Sequence, residues 1–185
     1  QQEDPNNEGT YIEFVRVETS GEAEYDEAND AAPTTGAIFT NTYDAGSTDV
    51  DTGTADAQLT KVLTGKAWDG DKFTFKIEAV SNTAGIEVAQ QPMPAKTEVT
   101  VDEATGKDKN GNDQATFSFG KISYDTPGTY VYKVTEVAGD NPGITYSTNE
   151  ATITVSVKDN NNGGYSTGVT VANNVFTNKY ASELD

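Results

Sequence analysis

From residue 57 onward the chain is built of short runs in which apolar and polar residues alternate. In "DKFTFKIEAV" Phe73, Phe75 and Ile77 are separated by Thr74, Lys76 and Glu78, and "GTYVYKVTEV" repeats the pattern with Tyr130, Tyr132 and Val134. A period of two places the apolar set on one face of a β-strand. Six more runs of similar length follow the same rule: "AQLTKVLTG", "KTEVTV", "QATFSFGKIS", "NEATITVSV", "GYSTGVTV" and "NNVFTNKY". Between them lie "KNGND", "DTPG", "GDNPG" and "DNNNGG", which supply Asn, Asp and Gly where a turn needs positive φ and Pro where it pre-sets one. No segment of helical period competes. Strands at this spacing predict an all-β sandwich over residues 57–180, with 181–185 as a tail.

The pattern changes upstream. Residues 45–57, "AGSTDVDTGTADA", are small, polar and acidic, and 44–56 is expected as a linker. Ahead of it, "TYIEFVRVETSGEAEYDEANDAAPTTGAIFTNTY" lies over "ATITVSVKDNNNGGYSTGVTVANNVFTNKY" as a partial repeat, ending in "FTNTY" in one copy and "FTNKY" in the other. Residues 1–43 therefore read as the C-terminal remnant of a similar module, an incomplete β segment whose earlier strands lay upstream. Two strands alone are marginal, so residues 10–43 are expected to pair with the 57–180 module's sheet edge or with another subunit.

Composition narrows the chemistry. The chain has no cysteine and no histidine, which removes disulfides, thiolate nucleophiles, the usual neutral-pH proton carrier and the commonest zinc ligands. The net charge is -18. It is uneven: residues 1–60 hold 14 acids and one base, Arg16, whereas the rest holds 16 acids and 11 lysines. Such a surface repels phosphates, so nucleic acid and anionic lipid are excluded as expected partners. Neither a signal peptide nor an apolar run near 20 residues occurs, and a soluble piece of a longer or processed parent is expected.

Three polar residues break the apolar faces. Lys61 is in register with Leu59 and Leu63, Glu136 with Tyr130, Tyr132 and Val134, and Asn178 with Phe176 and Tyr180. Burying any one of them without a partner costs several kcal/mol, roughly 2–7 for a neutral group and more for a charge. The pattern leaves two readings: each sits at a strand end and reaches water, or the three satisfy one another.

The ordered set K-x-L-x-G (Lys61 to Gly65), F-T-F (Phe73 to Phe75), G-x-Y-x-Y-x-V-x-E (Gly128 to Glu136) and F-x-N-x-Y (Phe176 to Tyr180) resembles the streptococcal pilin isopeptide-linkage domain, over about residues 57–180. That family is an immunoglobulin-like (CnaB-type) sandwich of Gram-positive pilins and surface adhesins. The resemblance implies an isopeptide bond from Lys61 to Asn178, formed under the influence of Glu136. An apolar pocket lowers a lysine pKa and raises that of a carboxylic acid, which brings the neutral amine and neutral acid within reach together. Glu136 is expected to polarise the Asn178 carbonyl and relay protons while Lys61 attacks and ammonia leaves. This is a single-turnover self-modification, not enzymatic turnover. Asn41, the matching residue of "FTNTY", has no lysine anywhere in residues 1–60 and is expected to stay a carboxamide.

The resemblance implies a stalk or shaft module on the bacterial cell wall or pilus, with neighbouring modules or subunits as partners and no metal or other cofactor. An adhesin module binding a host protein or glycan is the alternative, and a carboxylate-pair hydrolase a third class. Trp68 reads as packing, "DKNGND" at 108–113 as a hairpin turn in place of a calcium loop, and Tyr11, Tyr124, Tyr146 and Tyr165 as packing unless they share an exposed sugar-binding face.

Overall fold

The structure is a computed structural model. It describes residues 46–181 together with two short strands, β1 (Gln2–Glu3) and β2 (Tyr11–Ile12). The chain divides into two units, Gln1–Asn41 and Thr42–Asp185. In the first, β2 pairs antiparallel with β1, within its own segment. The "FTNTY" copy and Asn41 lie outside the described residues.

The second unit is a β-sandwich with an immunoglobulin-like arrangement. Its strands in chain order are β3 (Thr48–Asp51), β4 (Leu59–Thr64), β5 (Phe73–Asn82), β6 (Glu98–Val101), β7 (Gly106–Lys107), β8 (Asp113–Phe117), β9 (Lys121–Tyr124), β10 (Gly128–Val137), β11 (Ile144–Thr145), β12 (Glu150–Asp159), β13 (Tyr165–Ala172) and β14 (Val175–Tyr180). One five-stranded sheet runs β13-β12-β10-β5-β6, the other β11-β14-β4-β8-β7, and β3 pairs with β9. The first and last long strands of the module, β4 and β14, are parallel neighbours, with Phe176 opposite Lys61 and Asn178 opposite Leu63.

Alternation in sequence becomes alternation in burial. Phe73, Phe75 and Ile77 of β5 and Tyr130, Tyr132 and Val134 of β10 are all buried, and they meet Leu59, Leu63, Phe117 and Phe176 of the opposite sheet in one core. Phe75 stacks on Phe117 with ring centroids 4.1 Å apart and meets the edge of Phe176 at 5.1 Å. Tyrosine hydroxyls within the core are satisfied: Tyr124 and Tyr132 bond each other at 2.9 Å, and Tyr132 donates to the Pro92 carbonyl at 2.7 Å. Among the described residues no helix is long and apolar enough to cross a membrane.

Two elements differ from the sequence expectation. The acidic stretch expected as a linker contains β3, whose one apolar residue, Val50, is buried against β9. Buried Thr52 extends the attachment by donating from its hydroxyl to the Gly120 carbonyl at 2.9 Å. The run "QATFSFGKIS" is not one strand. It breaks at Gly120, at φ +78°, so that β8 stays beside β4 while β9 turns to β3.

The glycine closing K-x-L-x-G has a structural reason. Gly65 sits at φ +87°, and a Cβ there would overlap the Tyr180 carbonyl oxygen. Gly65→Ala thus combines left-handed strain with a main-chain collision at the end of β14, and should lower unfolding free energy by more than about 2 kcal/mol in denaturant titration.

Candidate functional site: a buried lysine, glutamate and asparagine

The three residues singled out by register converge at one point between the sheets. β4 and β14 bring Lys61 and Asn178 from one sheet, and β10 brings Glu136 from the other, where it lies opposite Phe75 of β5. Lys61 and Asn178 have no solvent exposure, and neither does the Glu136 side chain. Opposite Lys61 on β8 stands Ala115, whose small side chain leaves room for the lysine stem.

Glu136 holds both partners. Lys61 Nζ donates to Oε1 at 2.9 Å and to Oε2 at 2.8 Å, and Asn178 Nδ2 donates to Oε1 at 2.6 Å. The walls are aromatic: Lys61 Nζ lies 4.4 Å from the centroid of the Phe73 ring and 5.9 Å from that of Phe75. Burial pulls the Lys61 ammonium from its ordinary 10.5 down to about 8, against the opposing pull of the Glu136 charge and hydrogen bond. A fully desolvated ion pair of this kind is poor evidence for stability in itself, because removing two charges from water costs about as much as their attraction returns. Its value lies in chemistry: an amine and a carboxamide are both held on one carboxyl, with all three side chains out of solvent.

One contact departs from the sequence expectation. The Asn178 carbonyl oxygen does not meet Glu136; Oδ1 accepts from the main-chain N–H of Ser147 at 2.8 Å. Sequence reasoning missed Ser147, and no side-chain signal exists for it, since the donor is backbone.

The other conspicuous residues are structural. Trp68 packs edge-on against Phe73 at 4.9 Å, in the layer behind the lysine, and its indole N–H bonds the Asp71 carbonyl at 2.8 Å. In the 108–113 turn the Asp108 carboxylate accepts from the Asn110 and Asn112 amides and from the Asn112 side chain, a self-contained turn. Tyr124 is buried and Tyr146 half-buried, 6.4 Å from Phe73, so these two do not belong to an exposed sugar-binding face. Tyr11's side chain lies outside the described residues.

Residues 57–181 match the FctA family model, described as a Spy0128-like isopeptide containing domain. A pilin of Streptococcus pyogenes serotype M1 is 35% identical over 88 residues, covering 46% of this chain and 26% of that one. The crystal structure of the major pilin from Streptococcus pyogenes is similar at 25% identity and a TM-score of 0.46, over 66% of this chain and 49% of the pilin. The T-13 major pilin of the same species gives 18% identity and a TM-score of 0.44, over 74% and 54%. The match thus spans about a quarter of the pilin sequence and about half of each pilin structure. With its residues 57–181 matched, the chain belongs to the FctA family of Spy0128-like isopeptide containing domains, structural modules of pili and surface proteins on the outside of Gram-positive bacteria.

Proposed function

We propose that this module is a load-bearing stalk or shaft element, locked by an isopeptide bond that the folded chain forms between Lys61 Nζ and Asn178 Cγ, with neighbouring subunits of the same surface assembly as its partners. The observation that carries this reading is the single carboxyl of Glu136 bonded at once to the nucleophile and to the amide it would attack, with all three groups out of solvent. The bond Nζ–Cγ forms, the bond Cγ–Nδ2 breaks, and ammonia leaves. Holding amine and amide on one carboxyl removes the entropy of a bimolecular encounter, an effect worth roughly 7–11 kcal/mol of barrier in well-oriented systems. The reaction is used once per chain and leaves a structural cross-link.

The test is an intact mass. Wild-type protein should be lighter than its sequence by one ammonia, and Lys61→Ala, Asn178→Ala and Glu136→Ala should each restore the full mass. Wild-type protein at full sequence mass would exclude the bond.

The rate of bond formation should carry a particular pH dependence. A neutral amine beside a neutral acid is the tautomer of the ammonium–carboxylate pair, so reaching it takes no proton from solvent. Raising the pH through the depressed Lys61 pKa of about 8 therefore does not help. It removes the proton that the leaving nitrogen needs. Chains assembled by peptide ligation in denaturant, never folded before, should react on dilution at a rate that is level from about pH 7 to about pH 8 and falls roughly tenfold per unit above it, with a separate fall in acid where the pair takes a second proton on the carboxylate and strands the ammonium. A rate that climbs through pH 8 would mean that the carboxylate acts as a base on an already neutral amine.

A further inference from the structure

We propose that the main-chain N–H of Ser147 is the oxyanion donor of the cross-linking step, and that Glu136 consequently serves as a proton carrier between two nitrogens. This assignment rests on the isopeptide reading above and deepens it.

The orientation of the Asn178 amide carries the argument. A carboxamide presents an acceptor at one end and two donors at the other. The Ser147 N–H is a donor fixed in the backbone, so only the oxygen can face it, and it does so at 2.8 Å. The NH2 group then faces Glu136, at 2.6 Å from Oε1. Glu136 therefore touches the attacking nitrogen and the leaving nitrogen, while the oxygen on which charge develops belongs to Ser147.

The donor is held in place from both sides. β11, just before it, pairs with β14 through Ile144–Tyr180 and Thr145–Lys179. Just after it, the Asn149 side chain donates to the carbonyls of Asn173 at 2.6 Å and Val175 at 3.0 Å. Ser147 Oγ is engaged elsewhere, accepting from the Asn149 amide at 3.2 Å. The strand that carries Asn178 is thus the strand to which the donor's loop is tied, so N–H and carbonyl keep their geometry while the amide becomes tetrahedral. Donors fixed in advance in a dry site do most for a developing charge.

The step balances as follows. The Lys61 Nζ lone pair attacks Cγ, and the carbonyl π pair moves onto Oδ1, where the Ser147 N–H meets the charge. The Glu136 carboxylic acid gives its proton to Nδ2 and takes one from the new Nζ–Cγ ammonium. The Oδ1 electrons return, the Cγ–Nδ2 bond breaks, and ammonia departs, leaving an amide and the acid. On the outer side of Ser147 lies a surface cleft of about 250 Å³ lined by Glu136, Tyr146, Ser147 and Asn149.

The experiment replaces the Ser147 N–H by an oxygen that cannot donate. Chains ligated in denaturant with an α-hydroxy acid in place of Ser147 carry an ester at that link; on refolding, loss of ammonia timed by mass should be roughly 100- to 1,000-fold slower than in wild type. Ser147→Ala, which keeps the N–H, should react within about twofold of wild type, as expected of a backbone donor. Trp68 fluorescence reports that each chain has folded. A folded ester chain that reacts within about threefold of wild type would overturn the assignment. If the ester chain does not fold, the unreactive Lys61→Met protein decides: a scalar coupling across the hydrogen bond from Ser147 15N to Asn178 13Cγ supports the assignment, and its absence overturns it. Failure of wild type itself to lose ammonia would sink the bond, whereas equal rates in wild type and ester sink only the role of Ser147.

Discussion

Glu136→Ala should be the most damaging single substitution at the site, and it should lie well below a Lys61→Met, Glu136→Leu double variant even though neither can form the bond. Two separate losses are involved. The bond closes a loop of 117 residues (178 less 61), for which the chain-entropy model gives roughly 5 kcal/mol. Both variants lose that. Glu136→Ala also leaves the buried Lys61 ammonium facing Phe73 and Phe75 without its carboxylate, a loss of about 3–5 kcal/mol when one partner of a buried pair is removed. The double variant removes both charges and fills the space with apolar atoms. Whole-domain stability is about 5–15 kcal/mol, so Glu136→Ala sits at the edge of folding and the double variant does not.

The difference should shrink with pH in a known direction. Glu136 is what holds the Lys61 pKa up at about 8; without it the folded value is lower still, against 10.5 for the free side chain. Between those limits the unfolded chain binds more protons than the folded one, so the stability of Glu136→Ala rises with pH across that window. Urea titrations of both variants from about pH 7 to about pH 10 check this, and coincident midpoints at neutral pH would show that no charge is stranded.

How much of this was legible in the sequence follows from what kind of information each feature needs. Period-two alternation is a property of side chains, so β5, β10, β12 and β14 could be read directly, and the three polar residues were visible as exceptions on faces otherwise apolar. β3 could not be read, because a four-residue strand with one inward apolar residue, Val50, gives no period, and its neighbours Asp49 and Asp51 look like linker. The break at Gly120 was hidden in a continuous apolar run, since a strand that changes partner keeps its alternation on either side. Bringing β4 and β14 side by side in parallel is a matter of topology that local patterning does not encode. Ser147 was invisible for a stricter reason: its contribution is an N–H that every non-proline residue owns, and only the path of β11 and the Asn149 anchor gives this one a role.

Under tension the wild-type module should not lengthen at all between Lys61 and Asn178. Because β4 and β14 are parallel, force applied at the start of β4 and the end of β14 pulls the two strands past one another, loading their ladder in shear. In an unlinked variant that ladder resists until it fails, after which the chain from Lys61 to Asn178, 117 residue steps, runs out by roughly 400 Å at about 3.4 Å per residue. With the bond in place the load passes from the β4 backbone through the Lys61 side chain into Asn178 and out along β14, and every link is covalent. β5 to β13 then carry none of it, and the core they form is spared whatever its own stability. Single-molecule pulling from handles at the two ends should accordingly show the long extension in Lys61→Met and none in wild type. Handles moved inside the loop, at Glu103 and Gly139, should make wild type extend as well, because the strands between those points are held by hydrogen-bonded pairing and packing, with no covalent link across them. End-to-end lengthening of wild type by roughly 400 Å would mean that the shear ladder, and not a bond, is all that joins the first strand to the last.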